Sequence, residues 1–145
     1  MKILLDTNIL VHAHNKASQY QKKAADVIRR ALKGEFEGFI APQILYEFFA
    51  VVTNPKRVEH PLSVDEAANI CLDFWECREI GKVNQTVIVP KKVFELVKQL
   101  KLSGGKIFDC ILAVTAKENG VEEIYTENIE DFEVYDFLKA WNPLA

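Results

Sequence analysis

A chain of 145 residues, 49% hydrophobic and 27% charged, has the composition of an ordinary globular protein and the length of one hydrophobic core, which excludes a disordered or fibrous chain. Its net charge of −3 argues against a protein that coats nucleic acid through bulk positive charge. The same charge is neutral toward an enzyme that gathers carboxylates around a metal ion.

We expect a single domain over residues 1–145. The N-terminal Met-Lys-Ile-Leu-Leu-Asp reaches a charge after only three apolar residues and carries no h-region or cleavage site, so no secretion signal is read. No apolar run approaches the roughly 20 residues of a membrane span. The three cysteines, Cys71, Cys77 and Cys110, lack metal-ligand spacing and sit in apolar helical patterns, as reduced core residues of a cytoplasmic protein do.

In chain order, Lys2 to Leu5 is a short apolar run ending in Asp6, which predicts a buried central strand opening into a polar loop. Ala24, Ala25, Ile28 and Leu32 recur at helical spacing between Ser18, a candidate cap, and Gly34. Glu37 to Ala41 predicts a brief strand, and Pro42 starts a helix that Asn54-Pro55 stops. Ser63-Val-Asp-Glu66 has capping-box spacing and opens a helix through Cys77. β-Branched Thr86 to Val89 predicts another strand, followed after Pro90 by a helix carrying Val93, Leu96, Val97 and Leu100. Ser103-Gly104-Gly105 is a turn, Ile107 to Lys117 a helix, and Glu122 to Thr126 a strand ending at polar Glu127-Asn128. The tail with Val134 and Phe137 predicts a last edge strand. Such alternation implies an α/β fold, a three-layer α/β/α sandwich with a central, mostly parallel sheet.

Sites in open parallel sheets form outside the carboxyl ends of the strands. Asp6-Thr7-Asn8 and Thr126-Glu127-Asn128 both lie at such ends and converge if their strands are neighbours. Glu47 shares helical spacing with Ile44, Phe48 and Val51, which reads as a carboxylate on a buried stripe that needs a compensating partner. Asp109, between Ile107, Phe108, Cys110 and Ile111, poses the same question. Gathered together, Asp6, Glu47 and Asp109 would raise one another's pKa values and strain the fold until a cation joined them. Hard oxygen donors suit Mg2+ or Mn2+, whereas no histidine or cysteine set suits zinc. Such ions serve phosphate-ester hydrolysis by activating water and neutralising the leaving oxygen.

Alone, each acid has a plainer reading. Asp6 after a strand fits a turn or helix cap, Asp109 near a helix start complements the dipole, and Glu47 has Arg57 or Arg29 as candidate partners in a structural salt bridge. Lys101, Lys106 and the Gly104-Gly105 turn precede Asp109 and either present donors to a substrate phosphate near the metal or form a solvated loop. His12, His14 and His60 show no nucleophile–base arrangement. Trp75 and Phe74, in a helical pattern with Leu72 and Ile70, point to core or partner contact.

The order of apolar strand, Asp6-Thr7-Asn8, helical Glu47, Ile-Phe-Asp109-Cys-Ile-Leu-Ala, then Thr126-Glu-Asn-Ile-Glu-Asp-Phe132 resembles the PIN-domain family, especially VapC-type toxins of bacterial toxin–antitoxin pairs. The resemblance covers essentially the whole chain. It implies a metal-dependent endoribonuclease with Asp6, Glu47 and Asp109 as acidic ligands of Mg2+ or Mn2+, Asn128 completing the catalytic set, and Thr7, Asn8 and Thr126 in support. It also implies a cognate antitoxin and a homodimer. One departure is Asn128, where the family pattern often has aspartate: its carbonyl oxygen ligates without adding charge, so a second ion depends on Asp131 or Glu127 reaching the site. Asp131 itself reads as a capping or loop residue. Two rivals remain: a non-catalytic PIN-like module that binds RNA or protein, and a phosphatase using Asp6 as nucleophile, which is weakened by Asn8 standing where such enzymes need a second aspartate.

Overall fold

The computed structural model describes residues 1–145. Five strands, β1 (Lys2–Leu5), β2 (Glu37–Ile40), β3 (Ile80–Lys82), β4 (Glu123–Tyr125) and β5 (Lys139–Trp141), form one sheet in the order β3-β2-β1-β4-β5. Every neighbouring pair is parallel. Six helices cover it: α1 (Thr7–Ala13), α2 (Gln21–Leu32), α3 (Pro42–Val52), α4 (Val64–Glu76), α5 (Ile88–Leu100) and α6 (Lys106–Glu118). Right-handed crossovers put α1 to α4 on the face swept as the chain moves from β1 out to β3, and α5 with α6 on the other. The expected α/β/α sandwich is therefore the observed fold, with an entirely parallel sheet.

β1 is central, and Ile3, Leu4 and Leu5 are all buried because both faces of the strand are covered. They join one core with Ile40, Ile44, Phe48, Ile80, Ile124 and Phe132. The order of the strands reverses between β1 and β4, so the chain leaves these two neighbours toward opposite faces. A crevice opens there, at the carboxyl ends of both strands.

Some boundaries and two strands differ from expectation. Asp6 opens a helix, α1, and not a loop. The buried stripe of α2 is Ala24, Val27, Ile28 and Ala31, leaving Ala25 and Leu32 exposed, and Ser18 lies two residues before the helix cap. Thr86 to Val89 is not a strand: Val89 and Pro90 belong to the first turn of α5, where proline's missing N–H costs nothing. The strand lies earlier, at Ile80–Lys82, too short to show alternation, with Gly81 pressed so closely by the Phe39 ring that a Cβ there would stand 2.4 Å from it. The edge strand of the tail falls at Lys139–Trp141, beyond Val134 and Phe137. The capping box of Ser63 and Glu66 forms as read, each backbone N–H donating to the other's side chain.

Candidate active site

Asp6 follows the last residue of β1 and is the cap of α1, with extended backbone (φ −73°, ψ 161°). Its N–H continues the ladder to the Tyr125 carbonyl at 3.0 Å. That register sets Asp6 beside Thr126, the first residue past β4. Both oxygens of the Asp6 carboxylate are engaged: Oδ1 accepts from the Thr7 N–H at 2.8 Å, and Oδ2 accepts from Thr126 Oγ1 at 2.8 Å and Asn8 Nδ2 at 3.3 Å. Asn8 Oδ1 in turn accepts the Glu127 N–H at 2.9 Å, and Thr126 Oγ1 accepts the Asn128 N–H at 3.0 Å. Two strand ends, the start of α1 and the loop after β4 are thus held by one hydrogen-bonded knot. Burial pushes the Asp6 carboxyl above its ordinary pKa and the negative charges of Glu47 and Asp131 add to the rise, while the Thr126 hydroxyl and Thr7 N–H oppose it.

Glu47 is placed by α3, but not on the buried stripe. The arc through Ile44, Leu45, Phe48 and Val52 is centred about 115° from Glu47 at about 100° per residue, so Glu47 is exposed at the edge of the helix. Neither arginine compensates it: Arg29 pairs with Asp26, and Arg57 forms no ion pair. Its partners are uncharged. Glu47 Oε2 accepts from Thr7 Oγ1 at 3.0 Å, and Oε1 accepts from Gln43 Nε2 at 3.0 Å. Gln43 was not legible as a site residue, although it stands one helical turn before Glu47.

Asp109 lies in the first turn of α6. A purely dipole-complementing carboxylate there would have a lowered pKa. Asp109 is instead pushed up to about 6, first by burial and then by the charges of Asp131, Asp6 and Glu47. The three acids singled out from sequence therefore share one electrostatic neighbourhood, and a fourth, Asp131, joins them. Asp131 ends the 3-10 turn Ile129–Asp131. The sequence reads it as a capping or loop residue unless it reaches the site, and in the fold its charge acts on both Asp6 and Asp109. Asn128 is exposed, and its side-chain amide makes no hydrogen bond; its backbone N–H is what joins the knot.

Lys101 and Lys106 flank the turn before α6, both exposed, with Lys101 in the left-handed region at φ 57°. His12 bridges Ser18 Oγ at 2.6 Å and Glu127 Oε2 at 2.9 Å, pinning α1 to the loop after β4. No three acidic, histidine or cysteine side chains stand tightly enough to make a ready-made metal cage. The donor set still fits Mg2+ or Mn2+, because such ions commonly take one or two carboxylates and complete their shell with water and substrate phosphate. Like-charged acids with raised pKa values are the electrostatic counterpart of that fit.

Fold and site together define the class. Residues 2–130 match the PIN domain family, and the chain belongs to it. It is 29% identical over 142 residues to the ribonuclease VapC24 of Mycobacterium tuberculosis, covering 97% of this chain and 96% of that protein. Among solved structures it is similar to the sarcin-ricin-loop-cleaving toxin VapC20 of M. tuberculosis (TM-score 0.67, 16% identity, 94% of this chain and 97% of that one). It is also similar to VapBC2 of Rickettsia felis bound to a fragment of its promoter DNA (TM-score 0.68, 21% identity, 98% of both chains). At these identities the solved structures speak for the fold.

Proposed function

We propose that this chain is a VapC-type endoribonuclease, the toxin of a toxin–antitoxin pair, that hydrolyses RNA phosphodiester bonds with Mg2+ or Mn2+. The observation that carries the reading is the meeting of Asp6, Glu47 and Asp109 charges at the β1–β4 crevice, in a PIN-domain chain similar end to end to a ribonuclease.

In this reading Asp6, Glu47 and Asp109 hold the ion, and Asp131 supplies the fourth charge that Asn128 lacks. Bound there, Mg2+ or Mn2+ supplies a lowered water pKa and neutralises charge on the phosphate. Thr126 and the Thr7 N–H fix the Asp6 carboxylate and favour its ionised form, while Asn8 ties it to the loop after β4. Lys101 and Lys106 meet phosphates of the RNA strand beside the acids.

We further propose two protein partners. The R. felis neighbour is a VapBC complex, which supports a cognate antitoxin for this chain. Tyr46, Leu72 and Trp75, 73%, 54% and 41% exposed, form an apolar strip on α3 and α4 that suits a protein contact, including a homodimer. No helix is long and apolar enough to cross a membrane, and three free cysteines fit the reducing cytoplasm.

The test is cleavage of a mixed structured and single-stranded RNA pool by antitoxin-free protein in Mg2+, Mn2+ or EDTA, beside Asp109→Asn. Metal-dependent cuts that vanish in the variant support the enzyme. Equal inertness of both proteins in every metal sinks it and favours a binding module.

A further inference from the structure

We infer that Gln43 is a positioning residue that locks Glu47 to the start of α6 and so fixes the spacing between Glu47 and Asp109. The inference rests on the metal-site reading given above.

An exposed glutamate on a helix edge samples many rotamers, yet both oxygens of Glu47 are held. Thr7 holds Oε2 from α1, and Gln43 holds Oε1 from one turn back on α3. The amide of Gln43 does more than brace its neighbour. Nε2 also donates to the Phe108 carbonyl at 3.3 Å, the residue immediately before Asp109. The acceptors are a carboxylate and a carbonyl, so only the NH2 end of the amide can serve both, one hydrogen to each.

This bond is the one hydrogen bond between α3 and α6. α3 packs on α1 and α4, and α6 on α5, so the two helices carrying Glu47 and Asp109 belong to different packing layers. Gly105 and Gly104 precede α6, and a Cβ at either would meet nothing within 4 Å, so the entry to the helix is not pinned by packing on that side. Gln43 spans the gap. Residues that orient a metal ligand in this way affect affinity by roughly 10- to 100-fold when removed.

The experiment uses the full chain and compares wild type, Gln43→Met, Glu47→Gln and the double variant. Methionine keeps the length of the side chain without a donor, and the half-exposed position tolerates it; a melting curve on each protein checks the fold. Mn2+ affinity is read from the free-ion signal in electron paramagnetic resonance, and RNA cleavage is titrated with Mg2+. We expect Gln43→Met to weaken Mn2+ binding and raise half-saturating Mg2+ by about 10-fold or more, and to add no further loss in the Glu47→Gln background, since it acts through Glu47. Wild-type Mn2+ affinity in Gln43→Met, with Glu47→Gln impaired, overturns the positioning role alone. Unchanged affinity in Glu47→Gln overturns the metal-site reading and this inference with it. An additive loss in the double variant shows that Gln43 acts elsewhere and also overturns the inference.

Discussion

The hydroxyl of Thr126, fully buried at the end of β4, donates to Oδ2 of Asp6 at 2.8 Å across the junction where the sheet reverses its order. One short bond thus joins the two strand ends that form the crevice. Thr126→Val keeps the shape but leaves Asp6 Oδ2 with the longer Asn8 bond alone and the Asn128 N–H without its acceptor, costing about 1–3 kcal/mol. Because the hydroxyl lowers the Asp6 pKa, its loss raises that pKa further, and the acid limb of the cleavage profile should move to higher pH. Thr126→Ser should restore both properties. Chemical denaturation and a kcat/KM profile against pH give the answer; a valine variant with an unmoved acid limb would show that Thr126 serves packing alone.

Asp109 predicts how the metal-free protein responds to pH. Its carboxyl sits at about 6 in the fold against an ordinary 3.8. A carboxyl raised on folding favours the fold most when protonated, so its contribution is complete below pH 3.8 and is lost as pH rises through 6. The scale is of order 2–3 kcal/mol, taken as an upper limit. Asp109→Asn should therefore be more stable than wild type at pH 8 without metal, and nearly equal to it at pH 4, while losing cleavage. Urea unfolding at the two pH values decides this. Destabilisation of equal size at both would mean that the charge is already compensated within the chain.

The sequence made most of this legible where a local rule and the tertiary fold agree. Ser63 and Glu66 announce their helix, and apolar Ile3 to Leu5 announce a central strand. Thr86 to Val89 misled because β-branched residues carry a strand signal that an exposed helix start overrides; Val87 is 97% exposed and packs on nothing. Asp6 stood out as the polar end of an apolar strand, and Asp109 as a charge in apolar company. Glu47 stood out for a poorer reason, since spacing alone cannot tell the centre of a helical stripe from its margin. Gln43 was invisible because its significance lies in a bond to α6, and the sequence left Asp131 undecided between a turn residue and a site residue because no local pattern encodes its approach to Asp6 and Asp109.

Lys101 offers a separation of stability from binding. It caps α5 in the left-handed region, at φ 57° and ψ 45°, a conformation that costs a non-glycine residue about 1 kcal/mol. Lys101→Gly should therefore stabilise the fold by about that amount, whereas exposed Lys106→Ala should leave it unchanged. If both ammonium groups meet phosphates, each substitution lowers the slope of log affinity against log salt by about 0.7 for single-stranded RNA. Measuring RNA affinity over a salt series in an Asp109→Asn background keeps the substrate intact. Unaltered slopes in both variants would place the RNA path away from this turn.

The fourth charge of the cluster distinguishes Asp131 from Asn128. Asp131 raises the carboxyl pKa of both Asp6 and Asp109 and is the strongest of the charges acting on Asp109. Asn128 carries no charge, and its contribution to the knot is a backbone N–H that any residue but proline supplies. The expected order is therefore asymmetric: Asp131→Asn should lower cleavage at limiting Mg2+ by roughly 10-fold or more, while Asn128→Ala should change it less than about 3-fold. Asp131→Asn should also lower the pKa of Asp109, because a like charge that opposed its ionisation is gone. Carboxyl titration by NMR in the metal-free protein reads that shift independently of cleavage. The reverse order, with Asn128→Ala the costlier change and the Asp109 titration unmoved by Asp131→Asn, would return the fourth position to Asn128 through its side-chain carbonyl and leave Asp131 as a turn residue.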